Sequence, residues 1–477
     1  MDVPWNWSAI GIAACIGALD VTAIVKVLRR GGDVEGTLAW IFSIIAFPAI
    51  GAVLYLILSG PSLHRTIRRR RTTVARVRPG DGVIAEPSRP PPTTKVADAV
   101  LRTVESATGM PATVGNTVLP LVEADHAFEA LETAMERATR RIHAEYYIVR
   151  NDETGRRFLD LLTRQAKAGL EVRFLYDAMG SFGLDTSRLD ALRDAGARVE
   201  AFLPLSPWRR RWAVQQRNHR KIVIVDDMIA FTGGMNVGNE YSGRVRRRGD
   251  LLFRDSHVRI DGPAVADLAQ VFREDWAFAT GEALEPPQFC GIPSGSARVG
   301  IVPSGPDQIV NANSMVYFAS ITAARERVFL TSPYFIPDSP TMRALLAASM
   351  RGIDVRILLP AHCDVWLVGM AARTYYRPLL AAGVRIFEYE RSMLHAKTIV
   401  VDSELCVVGS ANVDVRSFRL NYELSAAVAD DAFAHDMERR FLEDLEHSRE
   451  VTSRTHRRGA WWRQLRDQIA RLLSPLL

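Results

Sequence analysis

Two histidines, two lysines and two asparagines recur in one register along this chain. His219, Lys221, Asp226 and Asn236 form one set; His395, Lys397, Asp402 and Asn412 form the other, each displaced by the same 176 residues (219 to 395). In each set His-x-Lys opens a β-branched apolar run, Ile222 to Val225 and Thr398 to Val401, the pattern of a buried strand. Residues two apart on a strand point the same way, so imidazole and ammonium share a side. A second apolar run then leads to Gly233-Gly234 or Gly409-Ser410, where small residues allow close approach, and to the Asn amide. Brought together, the two sets offer one imidazole to attack phosphorus and one to manage the leaving-group proton. Ammonium and amide groups would hold the non-bridging oxygens as charge builds, a chemistry that requires no metal or cofactor. Asp226 and Asp402 complete the motifs as catalytic candidates. Each follows its lysine by five residues, which turns it to the opposite side of the strand and gives it structural or supporting work. One copy would be an ordinary strand edge; two registered copies point to a catalytic site.

The paired His-x-Lys-x4-Asp motifs resemble those of the phospholipase D superfamily, and their surroundings resemble the bacterial cardiolipin synthases. The resembling segments are 218–221, 233–241, 254–264, 331–338, 409–423 and 471–477. The resemblance implies an α/β fold: two phospholipase D-like α/β/α sandwich lobes with pseudo-twofold symmetry, their active site at the seam, after an N-terminal transmembrane hairpin. It implies that Asp255 orients His395 and Glu423 orients His219, each across the lobes. It makes His219 the nucleophile and His395 the general acid, a distinction the residues alone leave open because the two sets are symmetric. The implied reaction moves a phosphatidyl group between two phosphatidylglycerol molecules, giving cardiolipin and glycerol through a phosphatidyl-histidine. Anionic membrane lipid is then the partner, no nucleic acid is expected, and the oligomeric state is open. A membrane phospholipase with water as acceptor, a nuclease of the superfamily and a silent lipid-binding scaffold are the rivals; the two intact motifs oppose silence and the apolar N-terminal segments oppose a nuclease. Asp227 stands where the family's pattern has glycine, which alters only a turn.

The elements that must carry these residues alternate. Helices are expected over 127–140, 154–167 and 186–195 (N-capped by Thr186), with strands at 142–149 and 172–176. The second half repeats the order: helices 314–325, 342–351 and 365–382, strands 328–335, 355–359 and 384–389. The echo of Gly169-Leu-Glu-Val-Arg-Phe-Leu in Gly352-Ile-Asp-Val-Arg-Ile-Leu extends the duplication to the whole domain.

A net charge of +6 over 477 residues suits an anionic partner, and four scattered cysteines form neither a disulfide framework nor a zinc pattern. Residues 1–62 read as the membrane hairpin, with spans at about 5–25 and 37–59; Asp20 lies near one end of the first and snorkels to the interface. The heavier basic flank from Arg65 to Arg78 puts both ends of the hairpin, and the catalytic lobes, on the cytoplasmic side of the cell membrane. Residues 63–110 read as a basic, Pro-rich linker, 111–285 as the first lobe, 286–455 as the second and 456–477 as an amphipathic tail. The tail suits either the bilayer or the second lobe. Trp208 to Trp212 and Arg244 to Arg248, basic runs (the first flanked by tryptophan), suit a membrane interface.

Overall fold

The computed structural model describes residues 7–30, 34–59, 61–78, 95–122, 124–204, 216–243, 252–453 and 461–473. Most of the Pro-rich run, the Trp208–Trp212 segment and Arg244–Arg248 lie outside the described residues. The chain falls into two compact units: one built on the N-terminal helices up to Arg71, and one that begins at Thr72 and holds both motifs.

The larger unit is two α/β lobes. The first carries β1 (Thr113–Leu121), β2 (Arg141–Tyr146), β3 (Glu171–Asp177), β4 (Arg198–Phe202), β5 (Lys221–Val225), β6 (Ile229–Gly233), the short β7 (Phe253–Arg254) and β8 (His257–Asp261). The second carries β9 (Ala297–Ser304), β10 (Arg327–Thr331), the short β11 (Phe335–Ile336), β12 (Asp354–Pro360), β13 (Arg385–Tyr389), the short β14 (Met393–Leu394), β15 (Thr398–Val401), β16 (Leu405–Gly409), the short β17 (Val413–Asp414), β18 (Glu423–Ala429) and β19 (Ser448–Val451). The long strands join in one continuous mixed sheet, ordered β19-β13-β12-β10-β15-β16-β18-β9-β1-β8-β6-β5-β2-β3-β4. Reading outward from the antiparallel β9–β1 contact, each lobe repeats the same path. β8, β6 and β5 match β18, β16 and β15, and the parallel trio β2-β3-β4 matches β10-β12-β13.

Each lobe has its own apolar core, around Phe158, Phe174, Val223 and Phe231 in the first and around Tyr317, Leu330, Ile357 and Ile399 in the second. The alternation expected from sequence is present, with three differences of physical interest. Asp185, not Thr186, caps the helix Thr186–Asp194 by accepting from the Ser187 N–H. The stretch 365–382 is two helices, Trp366–Arg373 and Tyr376–Ala381. The expected strand 328–335 ends at Thr331.

Two domain readings need correction. Residues 63–110 are not simply linker: after the N-terminal helices α1 (Trp7–Arg30), α2 (Val34–Ala46) and α3 (Ile50–Ser59), α4 (Pro61–Val77) runs into them and α5 (Val96–Thr108) lies within them. Val96, Ala97, Val100, Leu101 and Val104 of α5 all enter the second-lobe core, a helical stripe that the neighbouring prolines obscured. Arg78 is held by Glu274 at 2.8 Å and by the Thr108 carbonyl at 2.7 Å, so it is a structural residue as well as part of a basic flank.

The second correction concerns the expected second span. α1 is one helix of 24 residues, and its stretch Ile10–Arg29 is long and apolar enough to cross a membrane. Residues 34–59 instead break at Phe47-Pro48-Ala49, where Ala49 takes φ 63°. The two arms fold back on each other: a Cβ on Gly51 would lie 2.5 Å from the Ser43 carbonyl oxygen, and Trp40 meets Tyr55 with centroids 5.4 Å apart. Asp20 does not snorkel. Its Oδ1 accepts from the Ala49 N–H at 3.0 Å and satisfies a backbone donor freed by the break.

Because α5 is part of a lobe, its mutation tests the corrected boundary. Leu101→Ala should destabilise the second lobe by about 2–5 kcal/mol, read as a lowered thermal midpoint. An unchanged midpoint would return residues 96–108 to the linker.

Candidate active site

Both histidines sit just ahead of a buried strand, and each is fixed by backbone pairing to the other lobe. The His219 N–H donates to the Tyr422 carbonyl at 2.8 Å, and the Tyr422 N–H to the Arg217 carbonyl at 2.8 Å. The His395 N–H donates to the Arg254 carbonyl at 2.7 Å, beside the parallel pairing of β7 with β14. Each histidine-bearing segment therefore lies against the chain one residue away from a carboxylate of the opposite lobe. His219 Nδ1 is 2.9 Å from Glu423 Oε2, and His395 Nδ1 is 2.6 Å from Asp255 Oδ2. With Nδ1 donating to a carboxylate, Nε2 is the free ring nitrogen, and both rings line one cleft of about 330 Å³.

Burial sets the charges. It lowers the His219 pKa against the pull of Glu423, and lowers His395 to about 4 with the help of Lys397, so both imidazoles are neutral at neutral pH in the empty site. Burial alone would raise both carboxylates. Their histidine partners and the neighbouring lysines outweigh it, His219 and Lys221 for Glu423, Lys397 and His395 for Asp255, and both stay ionised. Burial brings Lys221 down to about 7 and Lys397 to about 8. Lys221 Nζ donates to the His219 carbonyl at 2.6 Å; Lys397 Nζ donates to the His395 carbonyl and lies 3.7 Å from Asp255. Two depressed ammonium groups, buried beside the histidines, are poised for an anion that restores their charge.

The asparagines also face the cleft. Asn236 accepts from the Ile148 N–H at 3.3 Å and donates to the Tyr241 hydroxyl at 2.9 Å, while the Oδ1 of Asn412 is buried without a hydrogen-bond partner. Asp226 and Asp402 do not join them. The Asp226 carboxylate accepts from the N–H groups of Thr139, Arg140 and Arg141, and that of Asp402 from those of Arg325, Glu326 and Arg327. Each ties the end of its motif strand to the start of the neighbouring strand, a stabilising role away from the cleft in place of a catalytic one. The change at Asp227 is absorbed by ion pairs with Arg140 and Arg141 at 2.5 and 2.7 Å.

Sequence reasoning missed several cleft residues. Tyr147 stacks edge-on to His219 at 4.7 Å, and Tyr241 and Phe253 flank His395. Tyr334 donates to Asp364 at 2.9 Å on the cleft wall. Arg220, the middle residue of the first His-x-Lys, points away from the cleft into the seam. It binds Asp275 at 2.5 Å and the carbonyls of Glu423 and Ser304, each at 3.1 Å. The alternation of the strand was the available signal, since the residue between two inward groups must face the other way. Ser410 donates to Glu423 at 2.5 Å, whereas its counterpart Gly234 leaves room for Asp255: a Cβ there would lie 2.1 Å from Asp255 Oδ1.

Gly234→Ala should therefore displace Asp255 and cost about 100-fold in phosphodiester turnover with little change in thermal midpoint. Asp226→Ala should do the reverse, losing about 1–3 kcal/mol of stability while the folded fraction keeps its rate. Equal rate losses in both variants would contradict the division.

Comparison with known proteins agrees with this geometry. A family model described as cardiolipin synthase, PLD-like domain, matches residues 131–276 and 317–445, and one described as phospholipase D-nuclease N-terminal matches 18–60. The chain is 36% identical to cardiolipin synthase A of Pseudomonas fluorescens, covering 98% of each protein. It is 34% identical to a cardiolipin synthase of Geobacillus kaustophilus over 99% of this chain and 95% of that one. Among solved structures, phosphatidylserine synthase of Haemophilus influenzae shares the fold with a TM-score of 0.60 at 13% identity, over 79% of this chain and 97% of that one. With its duplicated lobes and full-length similarity, the chain belongs to the cardiolipin synthase family of phospholipase D-like proteins.

Proposed function

We propose that this enzyme is a phosphatidyltransferase that makes cardiolipin from two phosphatidylglycerol molecules. The observation that carries the reading is the pair of imidazoles lining one cleft, each held at Nδ1 by a carboxylate of the other lobe. His219 Nε2 attacks phosphorus; the bond to the headgroup glycerol breaks, and His395 delivers a proton to the departing oxygen. His395 then takes the proton from a glycerol hydroxyl of the second phosphatidylglycerol. That oxygen attacks the phosphatidyl-histidine, the P–N bond breaks, and cardiolipin leaves with His219 restored. Lys221, Lys397, Asn236 and Asn412 hold the non-bridging oxygens. His395 is neutral in the empty site, and an anionic phosphodiester between the lysines raises its proton affinity for the first half-reaction.

Purified enzyme given phosphatidylglycerol alone should yield cardiolipin and glycerol in equal amounts, in the presence of chelator. Phosphatidic acid as the main lipid product would make the enzyme a hydrolase instead. The pH profile follows from the lysines. In the free enzyme they lose charge through about pH 7 and 8, so kcat/KM falls on the alkaline side as phosphate binding weakens. It falls on the acid side as His219 gains a proton below the ordinary histidine range. A profile flat to pH 10 would contradict the role of the lysines.

The membrane seat also admits a specific reading. At 13 and 10 residues, α2 and α3 reach about 20 and 15 Å, short of the roughly 30 Å hydrocarbon core. We infer that α1 crosses once and that the α2–α3 pair dips in and returns. Lys26, Arg29 and Arg30 then share the cytoplasmic side with Arg65 to Arg71 and the catalytic unit, which satisfies the charge rule better than a two-span hairpin does. A cysteine introduced at Gly31 should be labelled from the cytoplasmic side. Labelling from outside would restore the hairpin with both ends cytoplasmic.

A further inference from the structure

The C-terminal helix, Trp461–Leu473, packs against the second lobe with its faces reversed. Its sole acid, Asp467, turns inward to Arg373 at 3.3 Å, Ala470 is 1% exposed, and Arg471 lies over the Tyr375 ring at 4.9 Å. The apolar stripe Trp462, Leu465, Ile469 and Leu472 points outward, with Ile469 50% and Leu472 79% exposed. The steps of three, four and three residues keep the four on one face. For a helix on a water-facing surface the arrangement is upside down: Leu465 and Ile469 would be buried and Asp467 solvated. Arg463 and Arg466 sit over the Trp462 ring at 5.2 and 5.9 Å, so the outward face combines aromatic and cationic groups, Arg466 also reaching Asp467 at 2.9 Å.

Trp366 lines a depression together with Arg466 of the C-terminal helix. The helix on which the C-terminal helix rests, Trp366–Arg373, follows Asp364 and Val365 of the cleft lining, and its first residue, Trp366, is 70% exposed. The loop after β3, pseudo-symmetric with the loop after β12 that precedes Trp366, exposes Phe182 at 79% and lies against Tyr147 of the cleft lining, where Ser181 donates to the Tyr147 carbonyl at 3.0 Å.

We propose that the outward stripe of the C-terminal helix, with Trp366 and Phe182, is a docking face for a bilayer bearing anionic headgroups, which seats the mouth of the cleft at the lipid surface. Trp and Arg suit the headgroup layer, and the aliphatic side chains suit the acyl boundary beneath it. The partner rests on the lipid substrate proposed above, since a cleft that takes a phosphodiester between acyl chains and headgroup must meet the bilayer there.

The test uses the full chain in phosphatidylglycerol vesicles, with exposed Cys15 and Cys290 replaced by serine. A fluorophore at Ile469→Cys or Trp366→Cys should be quenched by nitroxide-labelled lipid and shielded from iodide, whereas one at Met350→Cys should show the opposite pattern. The double variant Leu465→Gln/Ile469→Gln should turn over vesicle lipid about tenfold more slowly while keeping its rate on a short water-soluble phosphodiester. A probe at Ile469→Cys open to iodide overturns the proposal, and so does one shielded from iodide and lipid alike, which would assign the face to a protein partner. Lipid quenching without cardiolipin formation would leave the docking face standing and remove the synthase reading, so the two failures are separable.

Discussion

The site depends on an exchange across the seam. Backbone pairing of residues 217–219 with Tyr422, and of β7 with β14, brings each carboxylate-bearing segment alongside the other lobe's histidine. Neither lobe alone holds an oriented imidazole, because its own carboxylate is committed elsewhere. The continuous sheet through β9 and β1 makes this exchange rigid. A buried His–carboxylate pair is stable only when its geometry is fixed, since desolvation of the ion costs several kcal/mol. The β-ladder supplies that fixity, and the low dielectric at the seam then strengthens every charge that faces the cleft.

That dependence explains what sequence could reveal. The constant register of His219 and His395 with their lysines survives because strands repeat with period two, so the half-sites were legible from spacing alone. Their pairing with Glu423 and Asp255 is non-local, 204 and 140 residues apart, and came only through the family likeness. Asp226 and Asp402 show the opposite case. Their odd separation from the lysines turns them away from the cleft, but the three backbone N–H groups that each one binds belong to another segment of the chain, which spacing does not reveal. Helix α5 was hidden by the prolines before it, and the break at Pro48 was hidden because an apolar run of 23 residues has the composition of a span whether or not it folds back. The approach of Gly51 to Ser43 and of Trp40 to Tyr55 distinguishes the two.

The duplication is close in the groups that face the cleft and loose behind them. Arg220 ties the backbone of Glu423 and Ser304 to Asp275, while the matching residue of the second motif is Ala396. Ser410 bonds Glu423, while the matching Gly234 gives way to Asp255. Glu423 thus divides its charge between His219, Ser410 and, at 3.3 Å, Asn421. Asp255 gives His395 a shorter contact of 2.6 Å and divides its charge in turn, between the backbone N–H of Ser256 and the Lys397 ammonium 3.7 Å away. A carboxylate whose charge is shared raises the proton affinity of its histidine less. At His219 the pull of Glu423 exceeds the push of Lys221, whereas at His395 the push of Lys397 exceeds the pull of Asp255. Under the proposed roles His395 gains its proton only when an anionic phosphodiester offsets Lys397, so the substrate itself completes the asymmetry that two identical motifs leave open.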